Sequence, residues 1–175
     1  LDEALQQLDD AHTEIAHLRK QVAKLKASET NEALLGQLMD LMRWQDQDSL
    51  TIWAERLLNF LVPNVGGIQA TFYTLDWEDN AENRLRFRTG YAHNGNCQEL
   101  IPFGRGIIGQ IALTKRPFYY GNTNHATANV QACAFSISAA HTYIYPLLHN
   151  GEVEGILELT SLYALPEARS TLLRG

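Results

Sequence analysis

The stretch Tyr143-Ile-Tyr-Pro-Leu-Leu-His-Asn-Gly-Glu-Val-Glu-Gly-Ile-Leu-Glu-Leu-Thr160 constrains this chain more than any other, because it reads as two strands joined by a turn at Asn150-Gly151. Asn-Gly supplies the two positive-φ residues that a two-residue hairpin turn needs, and the apolar runs on either side are long enough to pair. The hairpin declares an architecture and carries no evident catalytic group.

At 175 residues the chain can bury one substantial core, and its apolar fraction of 45% is ordinary for a globular protein. One domain with an appendage is the expectation. A net charge of -6 argues against nucleic acid, which wants a basic patch on its partner. No apolar run approaches membrane-spanning length, so this stretch of chain is not expected to insert in a bilayer. Cys97 and Cys133 can pair but form no disulfide framework, which favours a reduced, cytoplasmic setting. The chain begins with Leu1 and shows no signal-peptide pattern, so we expect a piece of a longer protein whose other parts hold the output activity.

With Leu1 at heptad position a, Leu1, Leu8, Ile15 and Val22 fall at a, and Ala4, Ala11, Leu18 and Leu25 at d. That is a coiled-coil seam. In a parallel dimer Glu14 at g faces Arg19 at e of the partner, an exposed pair worth little. An apolar stripe on an isolated helix must be buried somewhere, either in a homodimer through this N-terminal helix or on the chain's own domain. The seam lapses at Ser28-Glu29-Thr30-Asn31-Glu32 and apolar residues return at Leu34, Leu35, Leu38, Leu41 and Met42, which predicts a continuing helix in a changed register. The domains are therefore set at 1-32 for the coiled-coil helix and 33-175 for the body.

A second helix is expected from an N-cap at Asp48 or Ser49, its stripe of Leu50, Trp53, Leu57 and Leu61 ending before Pro63. From Gly67 the period changes to two, with Ile68, Ala70, Phe72 and Thr74 alternating with Gln69, Thr71, Tyr73 and Leu75, as in a strand covered at least partly on both faces. Asp76 to Asn83 reads as a polar turn, and Leu85 to Tyr91 as an antiparallel strand with one wetter face. Ile107 to Lys115 reads as a short helix and Phe118 to Tyr120 as a short strand before the closing hairpin of Tyr143 to Leu148 with Val153 to Leu162. Helices, strands, a helical crossover and strands again make an α+β fold.

With those elements placed, the segment Ile101-Pro-Phe-Gly-Arg-Gly-Ile-Ile-Gly-Gln-Ile-Ala-Leu-Thr-Lys-Arg-Pro117 resembles the glycine-bearing signature of GAF domains. So does the closing hairpin, with Pro146-Leu147-Leu148, the Asn-Gly turn and Gly155-Ile-Leu-Glu-Leu159. The resemblance covers about residues 33 to 165 and consists of two motifs in the correct order. It implies a central antiparallel sheet backed by helices on one face, with a ligand pocket on the other. It also implies a sensory and dimerisation module of a signalling protein, led into by a coiled-coil signalling helix.

Several constellations have plainer accounts. Gly104-Arg-Gly106-Ile-Ile-Gly109 has the spacing of a dinucleotide loop, but its helix is short, no acidic residue follows about 20 positions on, and the strands around it look antiparallel. Tight turns and close packing explain those glycines better. His93 and Cys97 have a spacing that zinc accepts, yet no second close pair accompanies them, and His125, Cys133, His141 and His149 are scattered. His12 and His17 lie five apart on the helix, on different faces. Neither cysteine has the basic neighbourhood that a redox or methionine-sulfoxide-reducing activity needs. Cys97 is followed by Gln98 and Cys133 by Ala134, so the cysteine-histidine attachment pattern of bilin-binding relatives is missing. The asparagine-lysine-phenylalanine-aspartate-glutamate pattern of cyclic-nucleotide-binding relatives is not apparent either. The residues name no cofactor.

By the same resemblance, Asn122 to Thr142 matches the loop-and-helix cover of the pocket. The aromatic residues in or near it, Phe103, Tyr119, Tyr120, Phe135, Tyr143 and Tyr145, can line a cavity and stack on a ring, with His141 placed to bond a ligand. The plainer account makes them core and strand residues. No nucleophile with a paired base is evident, so the expected function is a non-enzymatic sensory and dimerisation module binding a small molecule. The alternative is a structural dimerisation module with no ligand.

Overall fold

The computed structural model describes residues 2–43, 45, 48–77, 83–93, 95–121, 128–131, 136–139 and 141–166. Two helices come first, α1 (Asp2–Leu41) and α2 (Leu50–Val65). Strands β1 (Gln69–Leu75), β2 (Arg84–Tyr91) and β3 (Leu100–Pro102) follow, then α3 (Gly106–Thr114) and β4 (Phe118–Gly121). The chain closes with β5 (Ala128–Gln131), β6 (Ser136–Ala139), β7 (His141–His149) and β8 (Glu152–Ser161).

The expected closing hairpin is the centre of the structure. Asn150 and Gly151 have φ of 50° and 79°, the left-handed geometry their sequence calls for, and β7 pairs with β8 from His141↔Ser161 to His149↔Glu152. β8 pairs on its other edge with β1, and the six-stranded sheet runs β3-β2-β1-β8-β7-β4 with every neighbouring pair antiparallel. β5 and β6 form a separate two-stranded ribbon. That ribbon occupies part of the segment for which a loop-and-helix cover was expected, and its described residues contain no helix.

α1 passes through Ser28 to Glu32 without a break, as the changed register predicts. Beyond that point Leu34, Leu38 and Leu41 turn toward the body, Leu38 packing on the core under α2, while Leu35 and Met39 stay exposed. Farther up, the stripe of Ile15, Leu18, Val22 and Leu25 has no cover among the described residues, with 47–65% of each residue exposed. α2 begins at Ser49, whose hydroxyl accepts the Ile52 amide, so Ser49 and not Asp48 is the cap. Asp48 instead accepts from the Arg56 guanidinium, and the Trp53 indole donates to the Met42 carbonyl at 2.9 Å, fixing the turn between the helices.

The helix does not end before Pro63, as its stripe suggested, but runs to Val65 with the proline inside it. A proline this near the end removes one amide donor from the last turn. Burial of Val62 and Val65 holds that turn in place, and Gly66 closes it in the left-handed region with Gly67 N–H on the Val62 carbonyl.

The sheet buries both faces, as the pattern of β1 foretold. Ala54, Leu58, Leu61 and Val62 of α2 pack on Ala70 and Phe72 of β1, Tyr143 and Tyr145 of β7, and Leu157 and Leu159 of β8. On the other face Ile111 and Ala112 of α3 pack on Tyr73, Leu85, Ile144 and Ile156. Consecutive strand residues point to opposite faces, so each strand serves both cores.

Candidate functional site

The α3 face is only partly filled. Between α3 and the sheet lies a cleft of about 900 Å³, within the range of small-molecule sites. β1 contributes Tyr73 to its wall, β4 contributes Phe118 and Tyr120, β7 contributes Thr142 and Ile144, and β8 contributes Glu158. Asn96, Cys97 and Gln98 enter from the connection between β2 and β3, and Arg105 to Ile108 from the start of α3.

The glycines of the signature segment build the α3 wall. Gly104 and Gly106 take φ of 82° and 64° at the sharp entry to the helix, and a Cβ on Gly109 would run into the Pro102 carbonyl. They serve turns and close packing, as the plainer account held.

The floor carries one carboxylate. Glu158 lies across the ladder from Thr71 on one side and Ile144 on the other, and its Oε2 accepts the Thr71 hydroxyl at 2.8 Å. Burial pushes the Tyr73 hydroxyl well above its ordinary pKa, and the negative charges of Cys97 and Glu158 add to the effect. Burial likewise pushes the Cys97 thiol up, against a hydrogen bond with Tyr73 that works the other way. Both groups therefore keep their protons at neutral pH. Cys97 is a free thiol, with Sγ 3.9 Å from His93 Nδ1, and no group of three metal-ligating side chains is found among the described residues.

Of the residues singled out in the sequence, Tyr120 lines the cleft. Phe103 packs against the α3-side core without lining it. Tyr143 and Tyr145 belong to the α2-side core, because alternation along β7 sends Thr142 and Ile144 to the cleft and their neighbours away from it. His141 and Tyr119 lie on that same far side, the Tyr119 hydroxyl 2.8 Å from His141 Nδ1 with the two rings stacked at 6.0 Å, and Tyr119 4.8 Å from the Tyr143 ring. The Tyr143 hydroxyl accepts the Leu165 amide at 2.8 Å. Phe135 and Cys133 lie outside the described residues.

Sequence reasoning does not single out Tyr73, Arg105 or Glu158, and it weighs Cys97 only for pairing, zinc, redox chemistry and cofactor attachment. Glu158 did carry a signal, a lone charge inside Ile156-Leu-Glu-Leu159, but it shares parity with Glu152 and Glu154 and so reads as the solvent side of an ordinary strand. Asp76 likewise reads as a turn residue in the sequence. It is buried, with Arg84 Nε at 2.7 Å and Arg86 Nε at 3.0 Å.

No protein-family model matches the sequence. No curated protein matches it. Solved structures do match in shape. The GAF domain of A. aeolicus nlh2 in an inactive state superposes with a TM-score of 0.61 at 15% identity, over 85% of this chain and 89% of that one. The GAF domain of a phosphoenolpyruvate-protein phosphotransferase from Coxiella burnetii gives 0.61 at 15%, over 81% and 84%. Free methionine-R-sulfoxide reductase from Neisseria meningitidis, in complex with its substrate, gives 0.55 at 21%, over 85% and 83%. What is shared at these identities is the fold, which in this chain is a six-stranded antiparallel sheet with α2 on one face and α3 beside the cleft on the other. This chain has the GAF fold.

Proposed function

We propose that the chain is a non-enzymatic sensory module of an intracellular signalling protein, taking a small molecule in the cleft beside α3 and dimerising through the exposed stripe of α1. The observation that carries the ligand is the cleft itself, 900 Å³ in volume and floored by a rigid sheet. Apolar side chains fill the other face of that same sheet. The dimer is supported by Ile15, Leu18, Val22 and Leu25, four exposed apolar residues at heptad spacing.

The state of Cys97 favours binding over turnover. A thiol that burial holds protonated is a poor nucleophile, the reverse of what a reductase mechanism draws on. The free cysteine and acidic charge suit a cytoplasmic setting. No helix among the described residues is long and apolar enough to cross a membrane.

One observation favours the alternative of a structural dimer without ligand: Tyr143 and Tyr145, which suggested stacking on a ring, belong to the core under α2. Native mass spectrometry of the protein purified from cell extract separates the two. A dimer with a reproducible added mass is the expected result, a bare dimer selects the structural module, and a monomer sinks the role of α1.

A further inference from the structure

The cleft floor holds a carboxylate that no described cation meets. Glu158 is partly buried, and its one hydrogen bond among the described residues comes from the neutral Thr71 hydroxyl. Two carboxylates more deeply withdrawn from water are treated differently. Asp76 meets both Arg84 and Arg86, and Asp48 meets Arg56. A partly buried carboxylate gains from a cation brought beside it, and none of the described cations is bonded to Glu158.

The surroundings select the sign of the missing group. Tyr73 and Cys97 beside Glu158 keep their protons and supply no positive charge. Tyr73, Phe118 and Tyr120 line the same cleft, and an aromatic face attracts a cation within about 6 Å of its centre. Arg105 also lines the cleft, but it is exposed, so water and salt screen its charge while that of Glu158 is held on the floor.

Resting on the reading of this cleft as a ligand site, we infer that its ligand is a small organic ammonium compound with an apolar body, its protonated nitrogen bonded to the Glu158 carboxylate. The nitrogen donates to the carboxylate oxygens, and the aromatic side chains enclose the body.

Three probes of similar shape test this on the full chain at neutral pH: phenethylamine, which is cationic, phenethyl alcohol, which is neutral, and hydrocinnamate, which is anionic. Amide-resolved NMR places and titrates each. Phenethylamine should shift the amides of Thr71, Ile144 and Glu158 and bind about tenfold or more tightly than the other two, as a charge-assisted bond requires. Glu158→Gln keeps an acceptor for the Thr71 hydroxyl and should erase that preference, with its melting temperature confirming the fold. If it fails to fold, the three-probe comparison in the unaltered chain decides alone. Equal affinity for the three probes, a preference for the anion, or an unchanged preference in a folded Glu158→Gln overturns the ammonium and leaves the cleft a ligand site. If none of the probes shifts those amides, the inference and the ligand-site reading fall together.

Discussion

The two faces of the sheet are made from the same strands and end up with opposite properties. Against α2, Ala54, Val62 and Leu159 are fully buried, and aliphatic and tyrosine side chains interlock without a charge. Against α3, Leu85 and Ile156 are as deeply buried, but the space beyond them stays open and has a carboxylate in its floor. Close packing supplies stability, and a face left unpacked forgoes that stability. The contrast assigns stability to the α2 side and leaves the α3 side free to bind.

Tyr143→Ala should break the α2 face hardest. It empties a large volume in the main core and removes the acceptor of the Leu165 amide, so we expect a loss of about 3–5 kcal/mol in urea unfolding. The amide shifts of Cys97 and Arg105, cleft residues away from β7, should hardly move in the folded fraction. A loss below about 1 kcal/mol would mean that Tyr143 is not a core residue.

Val22→Asp tests a third surface, the stripe of α1 that the described residues leave uncovered. A charge at the centre of the proposed seam should weaken the dimer by about 2–3 kcal/mol in sedimentation equilibrium, with the melting of the sheet domain unchanged at low concentration. An unaltered dimer would place the interface elsewhere. Tyr120→Ala, on the cleft side and 43% exposed, should cost under about 1 kcal/mol. It should weaken any cleft ligand while sparing the fold, the inverse of Tyr143→Ala.

The smallest effect concerns Cys97. Because its folded pKa is raised, the unfolded chain releases the thiol proton first. Stability is therefore full below the ordinary thiol value of 9.0 and declines as pH rises through the folded value. The urea midpoint of the unaltered chain should fall more between pH 8 and pH 10 than that of Cys97→Ala, about two pH units bracketing the titration. Identical slopes would remove the buried thiol from the picture.

Locally encoded elements were legible. The Asn150-Gly151 turn, the short α3 and the β4 strand all stand where composition and period put them, because each depends on a few neighbouring residues. Pro63 was read too strictly, since a proline near a helix end costs only one donor and the core beneath can hold the turn. The site was far less legible. Of the six singled-out residues that the structure describes, Tyr120 lines the cleft, because aromatic character marks cores as readily as pockets. β7 shows why: Thr142 and Ile144 reach the cleft while their aromatic neighbours go to the core.

The amino-acid sequence by itself determined both long helices, α3, the strands β1, β2 and β4, the closing hairpin and the apolar stripe of α1, since periodicity and turn chemistry act over short distances, whereas β3 and the β5–β6 ribbon carried no such signal. Only the tertiary structure decided which parity of each strand faces α2 and which faces α3, and so that Tyr73, Cys97 and Glu158 share one cleft. Shifting a strand by one residue exchanges its two faces, and what prevents the shift is the simultaneous fit of distant strands and helices.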